Sequence, residues 1–402
     1  MSLPFTDMKI LLGLSGGIAA YKTADWVRNL RREGAQVRVM MSGAAGRFIT
    51  PLTMAALSGQ PVYEDIFAAT EAEQIPHIKL GREADLILLA PATANLIARL
   101  AHGLADDLPS AVVLAAKTPV MVCPAMNSAM YAHPATGENL DRLRRYGYTV
   151  LAPEHGDLAC GEEGPGRLAP WETVRQEMLS ALTPHDLAGR KILVTAGPTW
   201  EPLDPVRLLT NRASGKMGFA LAAAARQRGA TVTLVSGPGG ITPPAGVETI
   251  PVVTAQQMHD EVLSRAPAMD VVLKAAAVSD YRPVAYAPHK IKKDTVDAAL
   301  PLASNPDILR ELGELKRQAP CFPLLVGFAA ESEHHLEEGR RKLVTKNLDL
   351  VAINDISAED AGFAVDHNRV TMVDRNDAVE ELPLLSKEAV AHRILDAVLR
   401  IS

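Results

Sequence analysis

Three cysteines in 402 residues, Cys123, Cys160 and Cys321, are too few and too scattered for a disulfide framework. No Cys-x-x-Cys pair or histidine at metal-ligand spacing accompanies them, which argues against a zinc site. Aromatic residues are scarce at 4%, and 41 Lys and Arg against 47 Asp and Glu give a formal net charge of −6. A general nucleic-acid binder is thereby disfavoured, and any phosphate site must be local. No apolar run reaches the roughly 18 residues of a membrane helix. The segment from Met1 to Asp7 lacks the basic-then-apolar pattern of a leader. The expectation is a soluble, unprocessed protein in a reducing, cytoplasmic setting.

What is present is a 48% hydrophobic content rich in Ala, Val and Leu, which suits buried parallel sheets covered by helices. Strand-like runs at Lys9–Leu14, Gln36–Met41, Asp85–Ala90, Pro119–Cys123 and Thr149–Leu151 alternate with helical spacing at Thr23–Glu33 and Ala94–Leu104. The pattern restarts at Lys191–Thr195 and continues through Thr231–Ser236, Asp270–Ala275, Leu324–Phe328 and Leu350–Asn354. Helices are expected at Val174–Leu182, Gly218–Arg228 and Glu333–Asn347, and a closing helix from Lys387 to Ile401. Arg369–Asp374 reads as a late strand. The spacing predicts an α/β protein with two Rossmann-like three-layer domains, residues 1–182 and 191–402, joined by a turn-rich linker at 183–190.

Each half opens with a strand entering a turn of small residues, where a helix start presents free N–H groups to an anion. The first is Ser15-Gly16-Gly17-Ile18, and its second strand ends in Met41-Ser42-Gly43 rather than in the acid that binds an adenosine ribose. A flavin mononucleotide tolerates that absence, with Ser15, Gly16, Ile18, Ser42 and the Pro91-Ala92-Thr93 loop as candidate contacts. Gly13-Leu14-Ser15-Gly16-Gly17 also fits the nucleophile elbow of serine hydrolases. Here, however, no earlier strand exists to supply the oxyanion loop.

Three further segments carry chemistry. Asn127, after the strand ending at Cys123, offers an amide to a carboxylate. Cys160 lies in a glycine-rich loop ending in Arg167, where a largely protonated thiol serves as proton donor as readily as nucleophile. His77 alone is a bland core histidine. Together, His77, Pro124-Ala125-Met126-Asn127 and Cys160-Gly161-x-x-Gly164-x-Gly166-Arg167 resemble the flavin-dependent cysteine decarboxylase family. Over the whole chain, the order and spacing resemble the bacterial fused phosphopantothenoylcysteine decarboxylase/phosphopantothenate–cysteine ligase family. Tyr131 stands where many members carry Trp.

The resemblance implies a flavodoxin-like first half holding FMN. The cysteinyl thiol would be oxidised to a thioaldehyde, carbon dioxide lost, and the ene-thiol reduced to 4′-phosphopantetheine. It further implies that His77 assists decarboxylation, Asn127 binds the substrate carboxylate and Cys160 protonates the ene-thiol.

In the second half, Asn211 to Gly218 contains Gly215-Lys216 but is not a P-loop, because Thr210 replaces the first glycine and Met217 follows the lysine. Asp280 follows a buried strand, and the lysine-rich His289 to Lys293 stretch comes soon after. A carboxylate with lysines suits a nucleoside triphosphate with Mg²⁺, although the lysines alone describe any solvated loop. Lys342 and Lys346, one turn apart, share a helix face.

By the same resemblance this half activates 4′-phosphopantothenate with CTP as an acyl-cytidylate, which cysteine then attacks. Asp280, Lys290, Asn305, Pro306, Asp307, Ile308, Phe328, Lys342 and Lys346 match nucleotide positions, and Asn211 matches the acyl-cytidylate position. Lys290 would steady the reacting phosphate. Trimeric decarboxylase halves and dimeric ligase halves, hence a dodecamer, are also implied. The rivals are a peptidyl-cysteine decarboxylase, which leaves the second half without a role, and a flavin-binding regulatory protein that keeps the fold for partner inhibition.

Overall fold

The computed structural model describes residues 3–67, 75–292, 299–319, 321–331, 335–355 and 366–402. Lys293 and the first two residues of the helix expected at Glu333 lie outside them. The chain divides into two compact units, Met1–Thr183 and Pro184–Ser402.

The first unit is built on strands β1 (Lys9–Leu14), β2 (Gln36–Met41), β3 (Val62–Tyr63), β4 (Leu86–Ala92), β5 (Val120–Pro124) and β6 (Thr149–Val150). They form one parallel sheet in the order β3-β2-β1-β4-β5-β6, the doubly wound Rossmann order. Its likeness to flavodoxin therefore lies in its layers rather than in its strand order. Helices α1 (Thr23–Arg32), α2 (Pro51–Ser58), α3 (Pro76–Glu83), α4 (Ala94–His102), α5 (Leu108–Ala115), α6 (Ser128–Ala132), α7 (Pro134–Arg145) and α8 (Trp171–Leu182) connect or follow the strands.

The two-residue period of β1 shows how sequence makes the layers. Ile10, Leu12 and Leu14 pack with α1, α2 and α8, whereas Leu11 faces Leu96, Leu100 and Val112 on the other side. Each such buried side chain contributes about 1.5–3 kcal/mol. Strand β4 runs two residues past the expected Ala90, into Pro91 and Ala92. Its pairing with β5 shifts register between Leu89 and Ala92, where a proline costs the ladder little. After β6 the chain forms an antiparallel hairpin, β7 (Glu154–Asp157) and β8 (Glu163–Arg167), where only a glycine-rich loop was expected.

The second unit repeats the plan with β9 (Lys191–Ala196), β12 (Thr231–Ser236), β13 (Glu248–Pro251), β14 (Val271–Lys274), β17 (Leu324–Glu331) and β18 (Leu350–Asp355). Small antiparallel pairs are added by β10 (Trp200–Pro202) with β11 (Leu208–Thr210), and by β15 (Tyr281–Pro283) with β16 (Leu302–Ser304). A third joins β19 (His367–Asn368) to β22 (Leu385–Ser386). The order β13-β12-β9-β14-β17-β18 is parallel, then β20 (Val370–Asp374) and β21 (Val379–Glu381) extend it antiparallel. Glu380 on that last strand pairs with Arg393 and Arg400.

Helices α9 (Lys216–Gln227) and α13 (Lys387–Ile401) cover one face of this sheet. The other is covered by α10 (Ala255–Arg265), α11 (Ile308–Gln318) and α12 (His335–Thr345). No helix among the described residues is long and apolar enough to cross a membrane.

Asp349, at the foot of β18, has a side chain only 2% exposed. It accepts from the Leu325 amide at 2.7 Å and from Arg375 at 3.1 Å, and pairs with Lys316. Removing it strands the partly buried Lys316 cation. Asp349→Ala is expected to destabilise the second unit by about 3 kcal/mol, read as a lower urea midpoint.

Candidate active sites

Four loops meet at the carboxyl edge of the first sheet, where the strand order reverses between β1 and β4. Ser15 Oγ donates to the Pro91 carbonyl at 2.6 Å and accepts from the Thr93 amide at 2.9 Å, tying the β1 and β4 loops together. Thr93 in turn caps α4 by accepting from Leu96 N. Ser42 N donates to Leu14 O, and Ala125 N to Ala92 O, which adds the β2 and β5 loops. The Ser42 hydroxyl is buried with no partner among the described residues. Such an orphan group costs stability unless a ligand completes it. An unpaired hydroxyl beside small-residue turns fits the phosphate or ribityl oxygens of a flavin. Gly16 lies against Ala44, so closely that a Cβ would collide. Ile18 is exposed, available to a flat ligand.

Asn127 caps α6, its Oδ1 accepting from Ala129 N at 2.8 Å. Its Nδ2 lies 3.4 Å from Cys160 Sγ and donates to Glu162 Oε2 at 2.7 Å. Asn127 and Cys160, 33 residues apart, are thus brought together, with the thiol exposed at the tip of the β7–β8 hairpin. The motif glycines explain the approach. Gly166 has φ +146° and lies against the Met126 carbonyl, so that a Cβ would collide with it, while Met126 N donates to Gly166 O at 3.0 Å. By contrast, burial alone pushes the Cys123 thiol far up, which leaves it inert. His77 is at the start of α3, and its Nδ1 is buried without a partner among the described residues. No hydrogen bond there joins it to Asn127 or Cys160.

In the second unit, two cavities of about 450 and 490 Å³ open at the carboxyl edge. The first is lined by Asp280, Asn305, Pro306, Asp307, Ile308, Phe328, Lys342 and Lys346, all nucleotide candidates from the sequence. Asn305 closes one wall, its Nδ2 donating to Ser279 O at 2.8 Å. Burial opposes the Asp307 charge. Even so, the Lys346 ammonium at 3.0 Å outweighs it and holds the carboxyl below its ordinary value. Helix α12 ends at Thr345, so Lys346 lies just past its last turn, yet still on the wall it shares with Lys342.

The second cavity holds Asn211, whose Nδ2 reaches the Ala277 and Val278 carbonyls at 3.1 and 3.2 Å. The start of α9, Lys216 paired with Asp366, and the buried Lys387 also line it. Lys290 lines neither cavity. It is exposed on a loop whose next residue, Ile291, is bound through its amide to Asp204 at 3.2 Å and through its carbonyl to Arg207 at 3.0 Å. The Arg207 guanidinium holds the Asp204 carboxyl well below the usual range, so this tether stays ionised.

Sequence reasoning missed three of these groups. Lys274, at the end of β14, lines both cavities, and Glu162 and Asp204 fix the hairpin and the lysine loop. The available signal was a lysine terminating the apolar run Val271-Val272-Leu273.

A family model described as Flavoprotein matches residues 4–183. One described as DNA/pantothenate metabolism flavoprotein C-terminal domain matches residues 187–401. The Coenzyme A biosynthesis bifunctional protein CoaBC of Vibrio cholerae serotype O1 is 46% identical over 393 residues, 97% of each chain. Its counterpart in Bacillus subtilis (strain 168) is 45% identical over 400 residues, 98% of each. Among solved structures, the C-terminal domain of a CoaBC protein is 42% identical, with a TM-score of 0.45, covering 53% of this chain and 95% of that one. The FMN-dependent cysteine decarboxylase SpaF is 30% identical, with a TM-score of 0.39, covering 44% and 98%.

Fold and sites define a two-module α/β enzyme whose first module is a flavoprotein. The chain belongs to the family of bifunctional coenzyme A biosynthesis proteins, CoaBC, and unites decarboxylase and ligase activities in one polypeptide.

Because the hairpin docks through a glycine contact, Gly166→Ala should lift Cys160 from Asn127. Decarboxylation is expected to fall by at least about tenfold, with ligation unchanged, when the two reactions are assayed separately.

Proposed function

We propose that the second unit joins cysteine to 4′-phosphopantothenate using CTP, and that the first decarboxylates the product to 4′-phosphopantetheine with FMN. The meeting of Asn127 with Cys160 is the observation that carries the reading, since it pairs a carboxylate-binding amide with a thiol proton donor. FMN would be held by Ser15, Gly16, Ile18, Ser42, Pro91, Ala92 and Thr93, and when bound it supplies reversible two-electron oxidation at the substrate's thiol carbon. The Asn127 amide orients the departing carboxylate. His77 assists its loss, and Cys160, brought beside Asn127 by the hairpin, delivers a proton to the ene-thiol. Glu162, bound to Asn127 here, would give way to the substrate carboxylate.

In the ligase half, the Asn305–Ile308 loop, Phe328, Lys342 and Lys346 would hold the nucleotide, with Asp280 at its phosphates. The carboxylate oxygen of the acid forms a bond to the α-phosphorus as the bond to pyrophosphate breaks. The cysteine amine then displaces cytidylate, and Asn211 orients the acyl group. Lys290 would swing in on its tethered loop to steady the reacting phosphate. No cluster of three metal-ligating side chains occurs among the described residues. Mg²⁺ would thus be carried mainly by nucleotide phosphate oxygens with Asp280, as suits an ion that keeps several waters. Division at the 183–190 linker, homo-oligomeric assembly and a cytoplasmic location belong to the same proposal.

Cys160→Ala is expected to release carbon dioxide yet stall before the saturated product, as followed by mass spectrometry. Formation of 4′-phosphopantetheine at the wild-type rate would refute the proton-donor role. Lys290→Gln should slow ligation by roughly a hundredfold or more and leave decarboxylation of supplied phosphopantothenoylcysteine unchanged.

A further inference from the structure

Lys274 closes a central strand of the second sheet, after the buried run Val271-Val272-Leu273. Lysine is seldom enclosed without a partner. Here the side chain lines the wall that both cavities share, and its Nζ donates to the Ala276 carbonyl at 2.9 Å. No carboxylate among the described residues forms an ion pair with it. The charges facing it are Lys342 and Lys346 from α12 and the residue beyond it, Asp280 from the loop after β14, and Asp307 from the cap of α11. Asp307 is engaged by Lys346. The site is thus a cation-rich hollow whose central ammonium lacks a dedicated counter-ion.

We propose that Lys274 is a further catalytic group of the ligase half, contacting the anionic centre where the nucleotide's phosphate meets the acid's carboxylate. This rests on reading the two cavities as the nucleotide and acyl sites. During activation an O–P bond forms and the P–O bond to pyrophosphate breaks, with no net electron or proton transfer. Negative charge accumulates about phosphorus, and a fixed ammonium at the shared wall offsets it. Lys290, on an exposed loop, must move to reach that point, whereas Lys274 is already there.

Burial first, then the Lys346 charge, brings the Lys274 pKa down to about 8. At that pH roughly half of the free enzyme carries a neutral amine. A bound polyphosphate favours the ammonium and raises this value, so binding takes up a proton. Affinity is therefore full below pH 8 and weakens as pH rises through it.

The test is calorimetric titration of the full-length protein with CTP and Mg²⁺ at pH 8, in two buffers of different ionisation enthalpy. The wild type is expected to take up about half a proton. Lys274→Met should take up none and bind CTP on the order of tenfold or more weakly. Lys274→Arg, protonated throughout, should bind more tightly than the Met variant, also without uptake. Zero uptake in the wild type, or undiminished uptake in either variant, would overturn the role of Lys274. Should Lys274→Met melt early, the Arg variant alone decides. Failure of the wild type to bind CTP would instead remove the nucleotide reading, and this inference with it.

Discussion

A parallel sheet buried by helices on both faces has only its strand ends left to offer a ligand, and that constraint organises this molecule twice. At the carboxyl ends the backbone turns sharply into helices, whose first N–H groups are unpaired and electropositive. Any residue placed in those loops is therefore held by a rigid core and faces an anion-attracting rim. Ser15, Ser42, Thr93 and Asn127 occupy such positions in the first unit, and Asn211, Asp280 and Asp307 in the second.

The two sites use the rim differently. In the first, the Ser15 hydroxyl ties two small-residue loops together, and a separate hairpin brings the thiol to the amide. In the second, charge dominates, with Lys274, Lys342 and Lys346 around Asp280 and Asp307, and Lys216 and Lys387 beyond. This contrast suits the chemistry assigned to each half. Carbon-centred redox needs positioning and exclusion of water, whereas phosphorus chemistry needs compensation of charge.

Much of this was legible in the sequence, because the strongest signals are local. Apolar runs of β length followed by small residues point to both sheets, as at Lys9–Leu14 and Lys191–Thr195, the second strand reaching one residue further to Ala196. Loop residues directly after those strands fall at the rim by topology alone, which is why Asn127 and Asp280 could be placed. What escaped depends on long-range partners. The β7–β8 hairpin has too many glycines to read as strands, and it docks beside Asn127 because Gly166 lies against Met126. The role of Asp204 appears only when Ile291, 87 residues later, donates to it. Lys274 reads as the end of a strand until both cavities open onto it.

The far edge of the second sheet carries a different lesson. Strand β21 is three residues long, reads Val-Glu-Glu, and has Glu380 clasped by Arg393 and Arg400 of α13. A short, charged, side-clamped border is a poor template for another chain's backbone. The antiparallel extension thus works as a stop on lateral growth, guarding an eight-stranded, largely apolar sheet from edge-to-edge aggregation.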